Sequence, residues 1–246
     1  MSEILRVEHL SKSFEGLVVL DDISFSVNKG ETVVIVGPSG CGKSTLLRCL
    51  NGLEKADDGK ILLSGQPVNP ESKDISEMRQ RIGMVFQSYD LCPHKTIIEN
   101  AVLAPVRVQK RKKAEALAEA EQLLERVGLS AKKDALPRQL SGGQKQRAAI
   151  VRALMMHPEV MLFDEVTAAL DPEMVREVLD VILELSRMQR TMLIVTHEMA
   201  FAKAVADRVL FLDGGHIVEE NKPDEFFISP RTERAKRFLN TFEYDK

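Results

Sequence analysis

The chain has 246 residues, 44% of them hydrophobic and 29% charged, with a formal net charge of −3. Such values are ordinary for a globular protein and leave room for one large α/β domain or two small ones. The sequence pI of about 6.0 provides no basic field, which argues against nucleic acid as a main partner. No signal-peptide pattern opens the sequence, no long apolar run occurs and the three cysteines lack metal-ligand spacing, so we expect a cytosolic protein with reduced thiols.

The first quarter of the chain carries the patterns of strands. Alternating apolar residues predict an antiparallel edge sheet, and a continuous β-branched run predicts one buried strand. The alternating segments are 5–10 and 18–27, and the continuous run is 32–36. We further expect a helix from about Lys43 to Asn51, a turn at Asp57-Asp58-Gly59 and a strand at Ile61-Leu62-Leu63.

The stretch from about residue 95 to 155 is helical in pattern and shows no obvious strand. Five apolar residues share one helical face, and Gly128 follows them at a position suited to a C-terminal cap. These five are Ala116, Ala120, Leu123, Leu124 and Val127. We therefore expect a helical subdomain that is inserted into an α/β core.

Strands and helices alternate again after residue 159. Strands are predicted at 160–163, 192–195 and 209–212, and Asp171-Pro172 predicts a helix start with aspartate as cap and proline first. The buried stripe of that helix is predicted to be Val175, Val178, Leu179, Ile182 and Leu183. Alternation of this kind predicts a mostly parallel sheet covered on both faces.

A phosphate-binding motif, G-x-x-x-x-G-K-S, follows the first buried strand. It consists of Gly37, Pro38, Ser39, Gly40, Cys41, Gly42, Lys43 and Ser44, and Thr45 continues it into the predicted helix. The glycines let successive backbone N–H groups point at phosphate oxygens, and the helix N-terminus favours an anion. Lys43 is expected to reach the β- and γ-phosphates of a nucleotide, and the Ser44 hydroxyl to bind Mg²⁺. The alternative, a chance match in a Gly/Ser loop, is disfavoured by the flanking strand and helix.

Asp164-Glu165 ends a predicted strand, at the edge of a parallel sheet where loops line a ligand crevice. Asp164 is well placed to hold Mg²⁺ through water, and Glu165 to orient or deprotonate an attacking water. The alternative is an acidic strand end that caps the next segment. Taken alone, the two interpretations are equally good, and the phosphate-binding motif favours the first.

Leu140-Ser141-Gly142-Gly143-Gln144 precedes a helical run and predicts a second anion site. Ser141 could cap the helix, while Gly142 and Gly143 expose backbone N–H groups. The alternative is an ordinary N-cap with a flexible approach. Because one nucleotide has one γ-phosphate, two phosphate-seeking surfaces in one chain are most economically explained if they face each other across a two-fold dimer.

Taken in order, these motifs resemble those of the nucleotide-binding subunits of ATP-binding cassette (ABC) transporters, over essentially the whole chain. The resemblance implies an α/β fold: a P-loop NTPase (RecA-like) core with an antiparallel β edge subdomain and an inserted α-helical subdomain. Residues 1–246 would form one ATPase domain, with 1–87 and 160–246 as core and β edge and 88–159 as the helical subdomain carrying the signature motif. ATP and Mg²⁺ are the implied ligands.

The resemblance also implies roles for single residues. They are Phe14 stacking on adenine, Gln87 sensing Mg²⁺, the attacking water and the transmembrane partner, Asp171 signalling across the dimer, and His197 contacting the γ-phosphate. The signature residues Ser141, Gly142 and Gly143 would bind the γ-phosphate held by the opposite subunit. Judged alone, Gln87 and His197 are better explained as a turn glutamine and a strand-end histidine, and Phe14 as a core aromatic.

Three residues depart from the family pattern. Val166 replaces the usual proline after the catalytic glutamate, Ala168 replaces a common serine, and Gly16 comes one position later than the usual glycine after the aromatic. Neither Val166 nor Ala168 supplies a phosphate or metal contact, so we expect activity to survive.

Segments 91–96, 197–202 and 213–220 resemble the polar amino-acid uptake subfamily. This resemblance implies the ATP-hydrolysing subunit of an importer, peripheral on the cytoplasmic side of the cell membrane. It would form a homodimer in the ATP-bound state and act on integral-membrane permease subunits, with an extracytoplasmic solute-binding protein as an indirect partner. Another cargo or an exporter is the alternative. A relative that acts in DNA repair would need a coiled-coil insertion, and a translation-associated relative would carry two cassettes in one chain. A plain kinase or GTPase would not need the signature motif.

Overall fold

The structure is a computed structural model that describes residues 2–242. Its strands are β1 (Glu3–Phe14), β2 (Leu17–Asn28), β3 (Thr32–Val36), β4 (Asp58–Leu63), β5 (Gln66–Pro67), β6 (Ile82–Val85), β7 (Val160–Asp164), β8 (Met192–Val195), β9 (Arg208–Asp213) and β10 (His216–Asn221). Its α-helices are α1 (Lys43–Leu50), α2 (Ile75–Arg81), α3 (Ile97–Arg107), α4 (Lys113–Arg126), α5 (Gly142–Leu154), α6 (Pro172–Arg187), α7 (Met199–Val205), α8 (Pro223–Ile228) and α9 (Glu233–Asn240). Contacts divide the chain into a first unit, Met1–Arg79 with Ser186–Lys246, and a second unit, Gln80–Leu185. The predicted helical subdomain, 88–159, lies inside the second unit, and its assignment stays a prediction.

The first unit contains the expected antiparallel sheet, with strand order β2-β1-β4-β5. β1 and β2 form a long hairpin, in which Phe14 pairs with Leu17. The two residues between them, Glu15 and Gly16, have φ angles of 49° and 84°. Two successive left-handed residues are the geometry of a type I′ hairpin loop, which explains why the glycine stands second.

A parallel arrangement in the first unit is centred on β3. This strand lies between β8 and β9 and is parallel to both, while β10 pairs antiparallel with β9. All five residues of β3 are buried, as its β-branched run predicts. Ile35 is opposite Val195 and Leu210 in the register. The loops that follow β3 and β8 therefore leave the sheet at the same edge.

The predicted turn at 57–59 is wrong, because Asp58 and Gly59 begin β4. The strand approaches β1 so closely that a Cβ on Gly59 would lie 2.4 Å from the His9 carbonyl oxygen. The Asp57 carboxylate accepts hydrogen bonds from the hydroxyl and the backbone N–H of Ser13, at 2.7 and 2.6 Å. These bonds hold the pKa of Asp57 at about 2. Asp57, Asp58 and Gly59 are typical turn residues, but here they lie at the start of a closely paired strand.

In the second unit, β6 and β7 are parallel and fully buried, with Val85 opposite Phe163. Helices α3, α4 and α5 surround a common core that includes Ile97, Ala116, Ala120, Leu124, Val151 and Met155. Between residues 95 and 155, all of which are described, no strand occurs, as expected. Gly128 follows α4 with a φ of 70°, which confirms its expected place after the helix.

Helix α6 starts at Pro172 as predicted, but its buried stripe is narrower than predicted. Val178, Ile182 and Leu185 are buried. Val175, Leu179 and Leu183 are only half-buried. The buried positions are four and three residues apart, so they lie along one face of the helix. The half-buried apolar residues flank this face.

Candidate functional site

The segment 37–42 connects β3 to α1 and is shaped by its glycines. Gly40 and Gly42 have φ angles of 78° and 103°, values that residues with side chains rarely adopt. A Cβ on Gly37 would lie 2.0 Å from the Leu212 carbonyl oxygen, and one on Gly42 would lie 2.7 Å from the Val19 carbonyl oxygen. The loop is therefore pressed against the backbone of β9 and β2, and only glycine fits at these two positions.

Lys43 lies inside this loop. Its side chain is buried, and its ammonium donates hydrogen bonds to the carbonyl oxygens of Gly37 and Pro38, at 2.9 and 2.8 Å. Helix α1 begins at Lys43 with Gly42 as its N-cap, and no side chain caps it. Ser44 and Thr45, in the first turn, are half-buried. A cation beside the uncapped amides of a helix start forms a cradle for an anion.

Cys41 belongs to the same loop. Its thiol is buried, and this burial raises its pKa. Cys49, on α1, is buried as well, and burial raises its pKa to about 12. All three cysteines of the chain are free, as expected from the sequence.

His197 and Phe14 also lie in the first unit. His197 comes two residues after Val195, just as Gly37 comes two residues after Ile35, so both follow paired positions of adjacent parallel strands. The Glu198 N–H donates to the Thr196 hydroxyl at 3.1 Å, which shapes the turn around His197. Phe14 is 41% exposed, so it is not a core aromatic. The Lys12 ammonium lies 4.8 Å from the centroid of its ring.

The second unit brings Gln87 and Glu165 to one sheet edge. Gln87 follows Val85 by two residues and Glu165 follows Phe163 by two residues, and Val85 and Phe163 are register partners. Gln87 is exposed and Glu165 is half-buried. Glu165 has a φ of 45°, a left-handed conformation that is uncommon for glutamate. Strained backbone of this kind concentrates at functional sites.

Asp164 is the last residue of β7 and is 7% exposed. After Glu165 the chain makes two tight turns, in which the Ala168 N–H donates to the Glu165 carbonyl and the Leu170 N–H to the Thr167 carbonyl, both at 3.1 Å. Val166 is buried. Its side chain thus fills an apolar position, and the turn is made without proline.

Asp171 is exposed and precedes α6. Its carbonyl oxygen accepts the N–H groups of Met174 and Val175, at 2.9 and 3.0 Å, as the first bonds of the helix. The aspartate that the sequence placed at the helix start is therefore at the position expected for it.

Ser141 caps α5 through a reciprocal pair of hydrogen bonds. The Gln144 N–H donates to the Ser141 hydroxyl at 3.3 Å, and the Ser141 N–H donates to the Gln144 side-chain oxygen at 3.1 Å. This is a capping box, and it satisfies two backbone donors.

The two glycines after Ser141 are covered by other segments of the second unit. A Cβ on Gly142 would lie 2.7 Å from Leu170 Cδ2 and 3.1 Å from the Tyr89 hydroxyl. The Gly143 N–H points at the Met174 sulfur, 3.5 Å away. The signature segment thus lies beside both the loop that contains Gln87 and the one that contains Asp171.

The segment around Gln87 is held by three buried or partly buried polar residues, Gln146, Arg152 and Asn100. The sequence motifs did not predict these three residues. The contacts are Gln146 Nε2 to the Phe86 carbonyl at 3.1 Å, Arg152 Nη1 to the Asp90 carbonyl, and the Cys92 N–H to Asn100 Oδ1 at 2.7 Å. A signal was present, because polar residues stand among buried apolar ones at helical spacing on α3 and α5.

The predicted site residues therefore form two groups, one in each unit. The first contains the phosphate-binding loop, Phe14 and His197, and the second contains Gln87, Asp164, Glu165, Asp171 and the signature segment. Within residues 2–242, no cluster of three His, Cys, Asp or Glu residues is suited to hold a metal ion. Nor does any helix in that range have the length and apolar content needed to cross a bilayer.

The fold and the glycine-shaped loop define a P-loop nucleoside triphosphatase, which confirms the predicted α/β fold class. A profile described as "ABC transporter" matches residues 20–168. The chain belongs to the ABC transporter family.

Its curated relatives match over nearly their full length. The chain is 55% identical over 236 residues to the arginine transport ATP-binding protein ArtM of Bacillus subtilis (strain 168), covering 96% of this chain and 98% of that protein. It is 54% identical to the glutamate/aspartate import ATP-binding protein GltL of Escherichia coli (strain K12), with the same coverage.

Solved structures agree. CbiO1 of Clostridium perfringens, described as part of the ABC transporter complex cbiONQ, superposes with a TM-score of 0.84 at 31% identity, covering 98% of this chain and 96% of that one. The ATP-binding cassette MJ0796, solved as a post-hydrolysis dimer bound to ADP and Pi, has a TM-score of 0.80 at 30% identity, covering 89% of this chain and 99% of that one.

Proposed function

We propose that this chain is the ATP-hydrolysing subunit of an ABC importer that takes up polar amino acids through a membrane permease. The observation that carries the ATPase assignment is the position of the Lys43 ammonium, bonded to the carbonyls of its own glycine-shaped loop beside the uncapped start of α1. The cargo class is supported by the relatives, whose names concern arginine and glutamate/aspartate transport.

ATP would bind with its phosphates on the amides of 37–45. Lys43 would exchange its two carbonyl partners for β- and γ-phosphate oxygens, which accept a charge-assisted hydrogen bond better than a neutral carbonyl does. The exposed ring of Phe14 would stack on adenine.

We propose Ser44, Asp164 and Gln87 as the residues that hold Mg²⁺. They offer hydroxyl, carboxylate and amide oxygens, the hard donors that this ion prefers. When bound, the ion neutralises charge on the phosphates.

Hydrolysis would depend on Glu165, Gln87 and His197. Glu165 has left-handed backbone and follows β7 at the sheet edge where Gln87 also emerges, and these two groups would orient and deprotonate the attacking water. His197 would contact the γ-phosphate. Phosphoryl transfer needs positioning and charge stabilisation more than covalent help, and these residues would supply both.

The signature segment, Ser141, Gly142 and Gly143, would bind the γ-phosphate held by a second copy, and Asp171 would signal between the copies. ATP would close this homodimer because its γ-phosphate contacts both subunits only in the closed state. The dimer of MJ0796 with ADP and Pi supports the formation of a homodimer. In this chain the Met174 side chain covers the Gly143 amide, so it would move aside on closure.

Residues 87–103 would contact the permease, and this subunit would lie peripherally on the cytoplasmic side of the cell membrane. The extracytoplasmic solute-binding protein would act through the permease. Pro93 and His94 are exposed in this segment and are available for such a contact. An importer of another cargo or an exporter is the alternative, since the cargo does not contact this subunit.

Replacing Glu165 by Gln tests the catalytic assignment. We expect kcat to fall by at least about 100-fold, with ATP still bound and a dimer trapped on size exclusion. Glu184→Gln, which changes an exposed carboxylate on α6, is the control and should keep the wild-type rate. Wild-type turnover in the Glu165 variant would remove its catalytic role.

Replacing Lys43 by Ala tests the phosphate-binding loop. We expect loss of ATP binding by calorimetry in a protein that still folds, and micromolar affinity in this variant would contradict the assignment.

The cargo class is tested with the chain and its permease in vesicles, where polar amino acids, but not sugars, should stimulate ATP hydrolysis.

A further inference from the structure

Gln146 is a fully buried glutamine whose side-chain amide makes a hydrogen bond at only one of its two ends. It lies on α5, a few residues after the signature segment 141–143, and its exposed fraction is 0%. Its Nε2 donates to the Phe86 carbonyl at 3.1 Å. Its Oε1 is buried and accepts no hydrogen bond from the residues that the structure describes. Buried amides are normally satisfied at both ends, so this residue needs an explanation.

Stability alone explains Gln146 poorly. A buried apolar side chain of similar shape would fill the same space without an unsatisfied oxygen. The role of the amide is therefore to make its one hydrogen bond, which is the bond to the Phe86 carbonyl.

That bond holds the peptide unit from which Gln87 extends. The Phe86 carbonyl and the Gln87 N–H belong to one planar peptide group, so fixing the carbonyl oxygen fixes the direction in which Gln87 leaves the sheet. In the register of β6 with β7, Phe86 comes one residue after Val85, as Asp164 comes one residue after Phe163. Gln87 correspondingly stands at the level of Glu165.

We propose that Gln146 is a positioning residue for Gln87, and that it ties the signature helix α5 to the peptide unit that carries Gln87. The inference rests on the function proposed above. Through this bond, a displacement of the start of α5 is passed to Gln87, so the binding of the γ-phosphate by the signature segment and the placing of the water by Gln87 are linked.

The loop remains anchored without Gln146. Arg152 holds the Asp90 carbonyl, and Asn100 donates to the Cys92, Lys95 and Thr96 carbonyls while accepting the Cys92 N–H. A variant at position 146 should therefore fold and lose the local bond alone.

Gln146→Met is the first test, because methionine is unbranched, similar in length and unable to donate. With the full chain and Mg-ATP, we expect kcat to fall roughly tenfold and KM to change less than twofold, since a misplaced Gln87 impairs the chemical step. The control is Val151→Ala, which loosens the same helix on its face toward the core of α3 and α4. It should lower Tm at least as much and keep kcat within about twofold.

A double-mutant cycle with Gln87→Ala separates positioning from general damage. If Gln146 acts through Gln87, the Met substitution should change kcat less than about twofold in the Gln87→Ala background. Faster hydrogen exchange in the peptide covering 86–90 should accompany the loss in the single variant. Gln146→Leu repeats the test if the Met variant does not fold.

Several outcomes would overturn the inference: an unchanged kcat in the Gln146 variants, losses that multiply with those of Gln87→Ala, an equal loss in Val151→Ala, or no loss in Gln87→Ala itself. An inactive wild-type chain would instead overturn the proposed function, and the inference with it. An active wild type beside an unaffected Gln146→Met would overturn the inference alone.

Discussion

Two glycine-containing segments lead into helices in this protein, and they need glycine for different reasons. In the phosphate-binding loop, Gly40 and Gly42 have left-handed backbone, and Gly37 and Gly42 press against carbonyl oxygens of other strands. In the signature segment, Gly142 and Gly143 have ordinary helical backbone. The atoms nearest to them are mostly side-chain atoms of Leu170, Tyr89 and Met174.

The two helix starts differ in the same sense. Helix α1 has Gly42 as its N-cap and no side-chain cap, whereas α5 has Ser141 and a complete capping box. The first start has no side-chain cap, so its amides are available to the proposed ligand, and its shape is determined by backbone contacts. The second satisfies part of its own amides and is covered by side chains, which rearrange more easily than a packed backbone. We therefore expect the first segment to be preformed and the second to adjust when its partner arrives.

The largest expected effect comes from Gly37→Ala. The added Cβ would lie 2.0 Å from the Leu212 carbonyl oxygen, so the backbone of the loop or of β9 must move. We expect a loss of about 3–5 kcal/mol in the free energy of unfolding, measured by urea denaturation, together with loss of ATP binding.

Gly40→Ala is the matched control within the same loop. Its Cβ would meet nothing within 4 Å, and only its φ of 78° opposes the substitution. The cost should be about 1 kcal/mol, the strain of one left-handed residue. Equal losses in the two variants would show that conformation, and not contact with β9, explains Gly37.

A smaller effect is expected from Ser141→Ala. It removes the hydroxyl that accepts the Gln144 N–H at 3.3 Å and should cost about 1 kcal/mol of unfolding free energy. Thr96→Ala removes the matching capping box from α3 and should cost a similar amount. If Ser141→Ala left stability unchanged in urea titrations, the two helix starts would not differ as proposed.

Local pattern was sufficient to predict much of the fold. The β-branched run 32–36 is a buried strand, and the helix expected from Lys43 begins there, because both follow from residues close in sequence. The prediction of a turn at 57–59 was wrong because the close pairing of β4 with β1 joins residues about fifty positions apart. No local pattern records such pairing.

The site divides in the same way. The motif residues, such as Lys43, Ser141 and Glu165, could be proposed from the sequence because their spacing is specific, and their roles stay predictions. The sequence could not predict that Gln87 and Glu165 emerge at the same sheet edge. Their proximity depends on the pairing of β6 with β7, which are separated in sequence by the whole helical segment. The position of Gln146 among buried apolar residues marks it as unusual, but its partner could not be predicted, because that partner is a backbone carbonyl and not a side chain.

The smallest net effect is expected from Gly142→Ala, and it tests the comparison most directly. The Cβ would lie 2.7 Å from Leu170 Cδ2, the end of a half-buried side chain that can rotate away. Alanine also restricts the unfolded chain where the native backbone accepts it, a gain of about 0.4–1 kcal/mol. The two effects should nearly cancel in wild type.

In a Leu170→Ala background the shortest contact is gone, and the Tyr89 hydroxyl, 3.1 Å from the added Cβ, ends a half-buried side chain that can shift. The same Gly142→Ala change should then stabilise the protein by up to about 0.4–1 kcal/mol. Urea titrations with an unchanged m-value would measure both differences. A loss as large as that of Gly37→Ala in both backgrounds would mean that backbone, not side chains, constrains the signature segment. A gain confined to the Leu170→Ala background would instead place the constraint in a side chain, in agreement with the proposed contact of this segment with a second subunit.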